Sequence, residues 1–153
     1  MAPDDPSSPI LLDASALIAL LGNEPAAEEV RALLSDDAAA MTTVNLAEAV
    51  DRLHRRYGLS GARTRPVIEG LVDEALPLVA LGPREAWRAA EIRSTHYHRT
   101  RCPLSLADAV LIASAGNDGR VASSDRHVLH VAVSEGVAVT ALPDSRGRRP
   151  AVE

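Results

Sequence analysis

Short apolar runs alternate with helical patterns along most of this chain, and this alternation constrains its fold more than any other feature. The runs predict strands at residues 10–12, 38–42, 78–81, 120–123 and 137–142. Helical patterns predict helices over residues 15–21, 25–34, 45–57, 62–74 and 83–98, then one around Asp108 and one from about Asp125. Strands that alternate with helices are typical of a mainly parallel sheet covered on both faces. We therefore expect an α/β fold.

Length and composition indicate one domain with two loose ends. The chain has 153 residues, and hydrophobic residues make up 46% of it, which is enough for a core. We expect the domain to cover residues 9–143. Residues 1–8 and 144–153 are rich in proline, glycine or charge, and we expect them to be flexible.

The chain lacks the usual signals for export or membrane insertion. Its first residues include Asp4 and Asp5, where a signal peptide needs positive charge. The longest apolar run, residues 10–21, is interrupted by Asp13 and is too short to span a membrane. A single cysteine, Cys102, fits a reducing compartment. These features predict a cytoplasmic protein with no membrane contact.

The charged residues exclude several function classes. A net charge of −5 argues against a general nucleic-acid coat, but not against an enzyme that reaches phosphates through metal ions. All 16 basic residues are arginine, whereas phosphotransfer receivers and haloacid-dehalogenase-like phosphatases typically need a lysine. The segment G-x-x-x-x-G-K-[ST] of P-loop nucleotide-binding proteins is absent, and so is the G-x-S-x-G elbow of common hydrolases.

Four carboxylates lie near the starts of predicted helices. They are Asp13 in "ILLDAS", Glu48 in "TTVNLAEAV", Asp108 in "SLADAV" and Asp125 in "VASSDRH". Helices that follow parallel strands begin at one edge of the sheet, so we expect Asp13, Glu48 and Asp125 to converge there. Asp108 lies in an otherwise apolar helix, where an ionised carboxylate needs a partner or a metal.

Helix capping is the competing interpretation of each acid. Carboxylates at helix N-termini are stabilised by roughly 0.3–1 kcal/mol. Asn45-x-x-Glu48 and Ser105-x-x-Asp108 resemble capping boxes, and Asp13 and Asp125 could be N-caps. Glu48, which we place in the first turn of its helix, could also pair with an arginine one turn further on.

Convergence of the four acids would instead create a metal centre. Four carboxylates in one place repel one another strongly unless cations are bound. Carboxylate oxygens suit Mg²⁺ or Mn²⁺. Such ions can activate water for phosphodiester hydrolysis.

Four segments, "ILLDASALIALL", "TTVNLAEAVDRL", "LSLADAVLIASA" and "VASSDRHVL", resemble in order and spacing a PIN-domain ribonuclease. The resemblance is strongest to the VapC toxins of bacterial type II toxin–antitoxin pairs, and it covers roughly residues 9–143. It implies a three-layer α/β/α sandwich and a Mg²⁺- or Mn²⁺-dependent endoribonuclease that leaves a 5′-phosphate and a 3′-hydroxyl. It also implies a VapB-like antitoxin partner and a homodimer.

The resemblance assigns site residues one by one. Asp13 and Asp108 match metal ligands, and Glu48 and Asp125 match acids that complete the site directly or through water. Ser15 and Ser124 match small polar positions near the metal. The family commonly has a phenylalanine soon after its last acid, where this chain has "DRHVL", so the role of Asp125 is the least defined.

Arginines outside the four acidic positions are weaker candidates for the functional site. Arg99 and Arg101, in the loop before the Asp108 helix, could hold RNA phosphates or form a solvated loop. An arginine cluster on the exposed side of the Glu48 helix could contact substrate or antitoxin; it consists of Arg52, Arg55 and Arg56.

Two other functions compete with the ribonuclease. One is a PIN-like protein-interaction module that has lost catalysis, and the other is a DNA-directed or flap-type nuclease. The presence of all four acids counts against the first, and the lack of an added basic domain counts against the second.

Overall fold

A computed structural model describes residues 8–152 and shows five strands alternating with seven helices in that range. The strands are β1 Ile10–Leu12, β2 Ala39–Thr42, β3 Leu78–Val79, β4 Arg120–Ser123 and β5 Ala138–Ala141. The helices are α1 Ala14–Leu21, α2 Ala27–Ser35, α3 Thr43–Tyr57, α4 Gly61–Glu74, α5 Pro83–His96, α6 Leu106–Ala115 and α7 Arg126–Ser134. Every predicted element is present, with small shifts of its ends.

The five strands form one sheet in the order β3-β2-β1-β4-β5, and all four strand pairs are parallel. From β1 the chain builds outward through β2 to β3, and it then returns to the other side of β1 with β4. The gap between the carboxyl ends of β1 and β4 is therefore the point at which the strand order reverses. Ligands of open parallel sheets bind at such a point.

Each face of the sheet carries its own apolar core, which confirms the three-layer sandwich. Leu12 and Met41 pack on one face, with side chains of α1, α2 and α3. Leu11 and Val121 pack on the other face, with side chains of α5, α6 and α7. The opposite orientation of Leu11 and Leu12 follows from the two-residue repeat of a strand.

Three helix ends differ from the prediction by two residues, for local reasons. Helix α2 begins two residues after Pro25, because a turn closed by Ala27 N–H and Glu24 O precedes it. Helix α3 begins at Thr43 rather than at Asn45, because the Thr42 side chain caps it. Helix α5 ends at His96 rather than at residue 98, where a short antiparallel pairing of His98 with Cys102 begins.

The predicted ends are only partly described. Residues 1–7 and residue 153 lie outside the described range. Within the other end, Arg149 forms an ion pair of 2.5 Å with Glu29 of α2 and donates to the carbonyl of Ala141. None of the helices within residues 8–152 is long and apolar enough to cross a membrane.

Candidate functional site

An open cavity of about 530 Å³ lies at the reversal point of the sheet, and all four predicted acids line it. Asp13 follows β1 and Asp125 follows β4, whereas Glu48 and Asp108 reach it from α3 and α6. The remaining lining residues are Ala14, Ser15, Arg52, Ser124, Arg126 and His127. The topology therefore brings together side chains that are more than 100 residues apart in the sequence.

Asp13 is the most enclosed of the four acids, with 5% of its surface exposed. It caps α1, because its Oδ1 accepts the backbone N–H of Ala16 at 3.0 Å. The same oxygen accepts the hydroxyl of Ser15 at 2.6 Å. Its Oδ2 accepts the hydroxyl of Ser123 at 2.5 Å. The carboxylate is thus held in one orientation by donors from two strand ends.

Ser123 is a site residue that the sequence analysis missed. It is fully buried at the end of β4, and its Oγ also accepts the backbone N–H of Asp125 at 3.0 Å. The hydroxyls of the predicted supporting residues lie 3.2 Å apart, with Ser15 in the first turn of α1 and Ser124 directly after β4. The sequence "VASSDRH" contains two adjacent serines, Ser123 and Ser124. The pleat of β4 decides which of them points inward.

Asp108 makes the predicted capping box with Ser105. Its backbone N–H donates to Ser105 Oγ at 3.0 Å, and its Oδ2 accepts the Ser105 N–H at 2.9 Å. Its Oδ1 has no hydrogen-bond partner among residues 8–152. Capping therefore accounts for one carboxylate oxygen and leaves the other available to the cavity.

Glu48 is not part of a capping box, and that interpretation is wrong. Thr42 caps α3, so Glu48 lies in the second turn of the helix rather than in the first. It makes no hydrogen bond or ion pair with any residue between 8 and 152. Its side chain is half-buried in the cavity without a local structural role.

Asp125 is the most exposed of the four acids. It caps α7 through a 2.7 Å hydrogen bond from the His127 N–H to Oδ1. As with Asp108, capping uses one oxygen of the carboxylate.

The electrostatics of the cavity disfavour the ionised acids. Burial raises the pKa of Asp13 above its usual value, and the hydrogen bonds from Ser123, Ser15 and Ala16 only partly offset that effect. Burial also raises the pKa values of Glu48 and Asp108, and nearby carboxylates raise them further. The positive charge of Arg52 opposes this effect on both Glu48 and Asp108. A cation bound in the cavity would relieve the repulsion.

The chemistry of the donors fits a hard divalent cation. Carboxylates and hydroxyls are the ligands that Mg²⁺ and Mn²⁺ prefer. As the side chains lie, no three histidine, cysteine, aspartate or glutamate residues within the described range are grouped closely enough to hold one ion. An ion held by one or two of these carboxylates would complete its coordination with water.

Of the arginines predicted as possible RNA contacts, only Arg52 of the α3 cluster lines the cavity. Arg99 and Arg101 are exposed in the hairpin between α5 and α6 and do not line the cavity. Arg52 and Arg126 do line it. Arg52 reaches the cavity because it lies one helical turn after Glu48 on α3. Arg126 reaches it because it directly follows Asp125.

Comparison with known proteins identifies the family. The model of the PIN domain matches residues 10–135. A sequence search of curated proteins finds no match to this chain.

Solved structures share the fold. A chain of DNA-bound VapBC from Salmonella typhimurium matches with a TM-score of 0.65 and 19% identity, covering 87% of this chain and 97% of that one. A chain of a toxin–antitoxin complex from Klebsiella pneumoniae matches with a TM-score of 0.55 and 17% identity, covering 76% and 86%. A chain of FitAcB from Neisseria gonorrhoeae matches with a TM-score of 0.55 and 25% identity, covering 85% and 95%.

These results agree with the resemblance inferred from the four acidic segments. PIN domains are generally nucleases. Because the family model spans most of the sequence, this chain belongs to the PIN domain family.

Proposed function

We propose that this protein is a Mg²⁺- or Mn²⁺-dependent endoribonuclease and the toxin of a type II toxin–antitoxin pair. The observation that carries the proposal is the cavity at the sheet reversal point, which is lined by Asp13, Glu48, Asp108 and Asp125. Burial, together with the neighbouring carboxylates, raises the pKa values of Asp13, Glu48 and Asp108. Perturbed acids in a cleft are a physical indication of function.

The proposed roles of the residues follow from their contacts. Asp13 and Asp108 would hold the ion, and Glu48 and Asp125 would complete its coordination directly or through water. A bound divalent ion would supply an activated water and stabilise the leaving oxygen of the phosphodiester. Ser15 and Ser123 orient the Asp13 carboxylate by donating to its two oxygens.

The toxin role is supported by the fold. The three solved structures are a VapBC complex, a toxin–antitoxin complex and FitAcB, and their chains share this architecture. We therefore propose a VapB-like antitoxin as partner of this chain, RNA as its substrate and a homodimer as its assembled form.

The test is cleavage of labelled RNA by purified protein in Mg²⁺ or Mn²⁺ and in chelator. A panel of transfer RNA, ribosomal RNA and single-stranded oligonucleotides covers the main substrate classes. In Asp108→Asn, the amide oxygen can still accept the Ser105 N–H, so the cap is preserved while the charge is lost. We expect cleavage to fall on the order of 10²-fold or more.

Asp51→Asn is the matched control, because Asp51 is an exposed acid on α3 that pairs with Arg55 outside the cavity. We expect it to cleave like the unchanged protein. Cleavage that persists in chelator, or that Asp108→Asn retains, would contradict the proposal.

A protein-interaction module without catalysis is the second candidate. It is favoured by one observation, namely that no three acids within residues 8–152 are grouped closely enough for one ion. In that case the purified protein would cut no RNA of the panel in either metal, although it would fold normally.

A further inference from the structure

A basic stripe extends the acidic cavity along α3. Glu48, Arg52 and Arg56 are spaced four residues apart, so they follow one another on the same face of the helix. Glu48 lines the acidic cavity, and Arg56 lines a smaller neighbouring cavity of about 130 Å³. Arg52 lines both cavities. The stripe therefore runs from the acids toward the C-terminal end of the helix.

The two cavities adjoin each other, because three residues line both. They share Ser15, Arg52 and Ser124, and the smaller one continues over the carboxyl end of β5 to Leu142 and Pro143. Together they form a groove with Arg52 and Arg56 along one side, the four acids at one end, and Glu24 and Asp144 in the smaller cavity. If the phosphodiester of an RNA strand lies among the acids, positive charge is needed to bind the next phosphates of that RNA.

Arg52 is the cation best placed for such a contact. Its guanidinium is partly exposed and makes no hydrogen bond or ion pair with any residue between 8 and 152. It acts on Glu48 and Asp108 only through its charge. Its hydrogen-bond donors are therefore available to a ligand in the groove, and a guanidinium binds a phosphate through two parallel hydrogen bonds.

Three other charged residues near the groove have partners. Arg55, on the same helix, forms an ion pair of 2.7 Å with Asp51 and lines neither cavity. In the smaller cavity, Asp144 accepts hydrogen bonds from Arg148 and from the backbone at residues 146 and 148. Glu24 accepts the hydroxyl of Tyr57 at 3.1 Å.

We propose that Arg52 binds the RNA phosphate next to the one that is cleaved, and that the strand then follows α3 past Arg56 through the smaller cavity. This inference rests on the proposed ribonuclease function. It selects two of the three arginines of α3 as substrate-binding residues. It also gives the bound strand a direction across the surface, from the acids toward the C-terminal end of α3.

The test compares Arg52→Gln with Arg55→Gln, which removes the same charge from the same helix. The probe is a mixed-sequence single-stranded RNA of about 12 nucleotides, near the site size of single-strand binders. Its binding is followed by fluorescence anisotropy in Ca²⁺, a hard cation that prefers the same oxygen ligands. We expect Arg52→Gln to weaken binding about ten-fold, as loss of one charge-assisted contact does. Arg55→Gln should bind like the unchanged protein.

Salt dependence distinguishes a phosphate contact from a general charge effect. For Arg52→Gln, the slope of log affinity against log salt concentration should decrease by about 0.7, the value for one contact to a single strand. Arg52→Lys should retain the slope, because it retains the charge. Arg56→Gln should show the same change in slope as Arg52→Gln, since a second phosphate passes it.

Kinetics on any RNA that the protein cuts give a further readout. At saturating Mg²⁺, Arg52→Gln should raise KM with little change in kcat, because the phosphate contact exists before and during the reaction. Equal behaviour of Arg52→Gln and Arg55→Gln would overturn this inference and leave the ribonuclease intact. Arg52-dependent binding without any cleavage would overturn the ribonuclease, and with it the position of Arg52 beside a cleaved phosphate, but would retain Arg52 as an RNA-binding residue. Neither binding nor cleavage would overturn both proposals entirely.

Discussion

The hydroxyl of Ser123 donates a 2.5 Å hydrogen bond to Oδ2 of Asp13, and this contact joins the carboxyl ends of the adjacent strands β4 and β1. Ser123 also accepts the N–H of Asp125. One buried hydroxyl therefore connects two of the four acids of the cavity. The orientation of the acids depends on a residue that does not itself line the cavity.

Ser123→Ala tests this connection. The substitution leaves the buried Oδ2 of Asp13 and the N–H of Asp125 each without a partner. We expect the free energy of unfolding to fall by about 1–3 kcal/mol, as for other buried groups that lose a hydrogen bond. Urea unfolding at neutral pH in chelator measures it. Ser124→Ala is the matched control, and an equal loss in the two variants would contradict the role of Ser123.

Without metal, the protein should become less stable as the pH rises above the ordinary pKa values of its cavity acids. Asp13, Glu48 and Asp108 have pKa values raised above 3.8, 4.5 and 3.8, so the folded state holds more protons than the unfolded state just above these values. Stability then decreases with increasing pH until the raised pKa values are passed. The acids Glu29 and Asp144, whose pKa values are lowered, act in the opposite sense and only at lower pH.

The measurement is thermal unfolding in chelator from about pH 4 upward, because the linkage begins just above the ordinary pKa values of these acids. Glu48→Gln removes one of the three groups and should reduce the dependence on pH. Groups elsewhere that titrate in this range affect both proteins equally, so the difference between them isolates Glu48. If stability decreases more steeply with pH in Glu48→Gln than in the unchanged protein, the cavity acids do not cause the pH dependence.

Divalent cations should stabilise the folded protein, and more strongly at high pH. Mg²⁺ or Mn²⁺ at 100 times its dissociation constant should add about 2.7 kcal/mol to the free energy of unfolding. The effect should grow with pH, because the ligands must be deprotonated. Calorimetric unfolding with and without metal tests this prediction, and Asp13→Asn should lose most of the stabilisation. A similar increase in that variant would place the cation elsewhere.

Asn45→Ala should loosen the two helices that carry Glu48 and Asp108. Asn45 is fully buried, accepts the Thr42 hydroxyl at 2.5 Å and donates to the carbonyl of Ala107 at 3.4 Å. It thereby joins α3 to α6. We expect the free energy of unfolding to fall by about 1–3 kcal/mol. RNA cleavage should fall as well, because the two acids lose their mutual position.

The control for Asn45→Ala is Asn117→Ala, in the exposed turn between α6 and β4. In urea unfolding and in the RNA cleavage assay, we expect the stability and activity of this variant to be close to those of the unchanged protein. An equal loss of stability in both asparagine variants would contradict the proposed role of the buried contacts of Asn45.

Capping and cavity lining proved to be compatible for three acids. Asp13, Asp108 and Asp125 each cap a helix and also line the cavity, because a carboxylate has two oxygens with several lone pairs. In the sequence, the two roles are alternative interpretations of each acid. For Glu48 the predicted cap was wrong, because Thr42 begins the helix one turn earlier than the asparagine would.

The sequence alone determined the alternation of strands and helices and the positions of three acids, Asp13, Asp108 and Asp125, after strands or at helix starts. Both depend on local properties, namely the spacing of apolar residues and the backbone groups left free at helix ends. Tertiary structure decided which strands are neighbours, and so brought Asp13 beside Ser123. It also decided that Arg52 rather than Arg99 or Arg101 borders the acids. These outcomes depend on how two apolar faces pack across one sheet, which is a property of residues far apart in the chain.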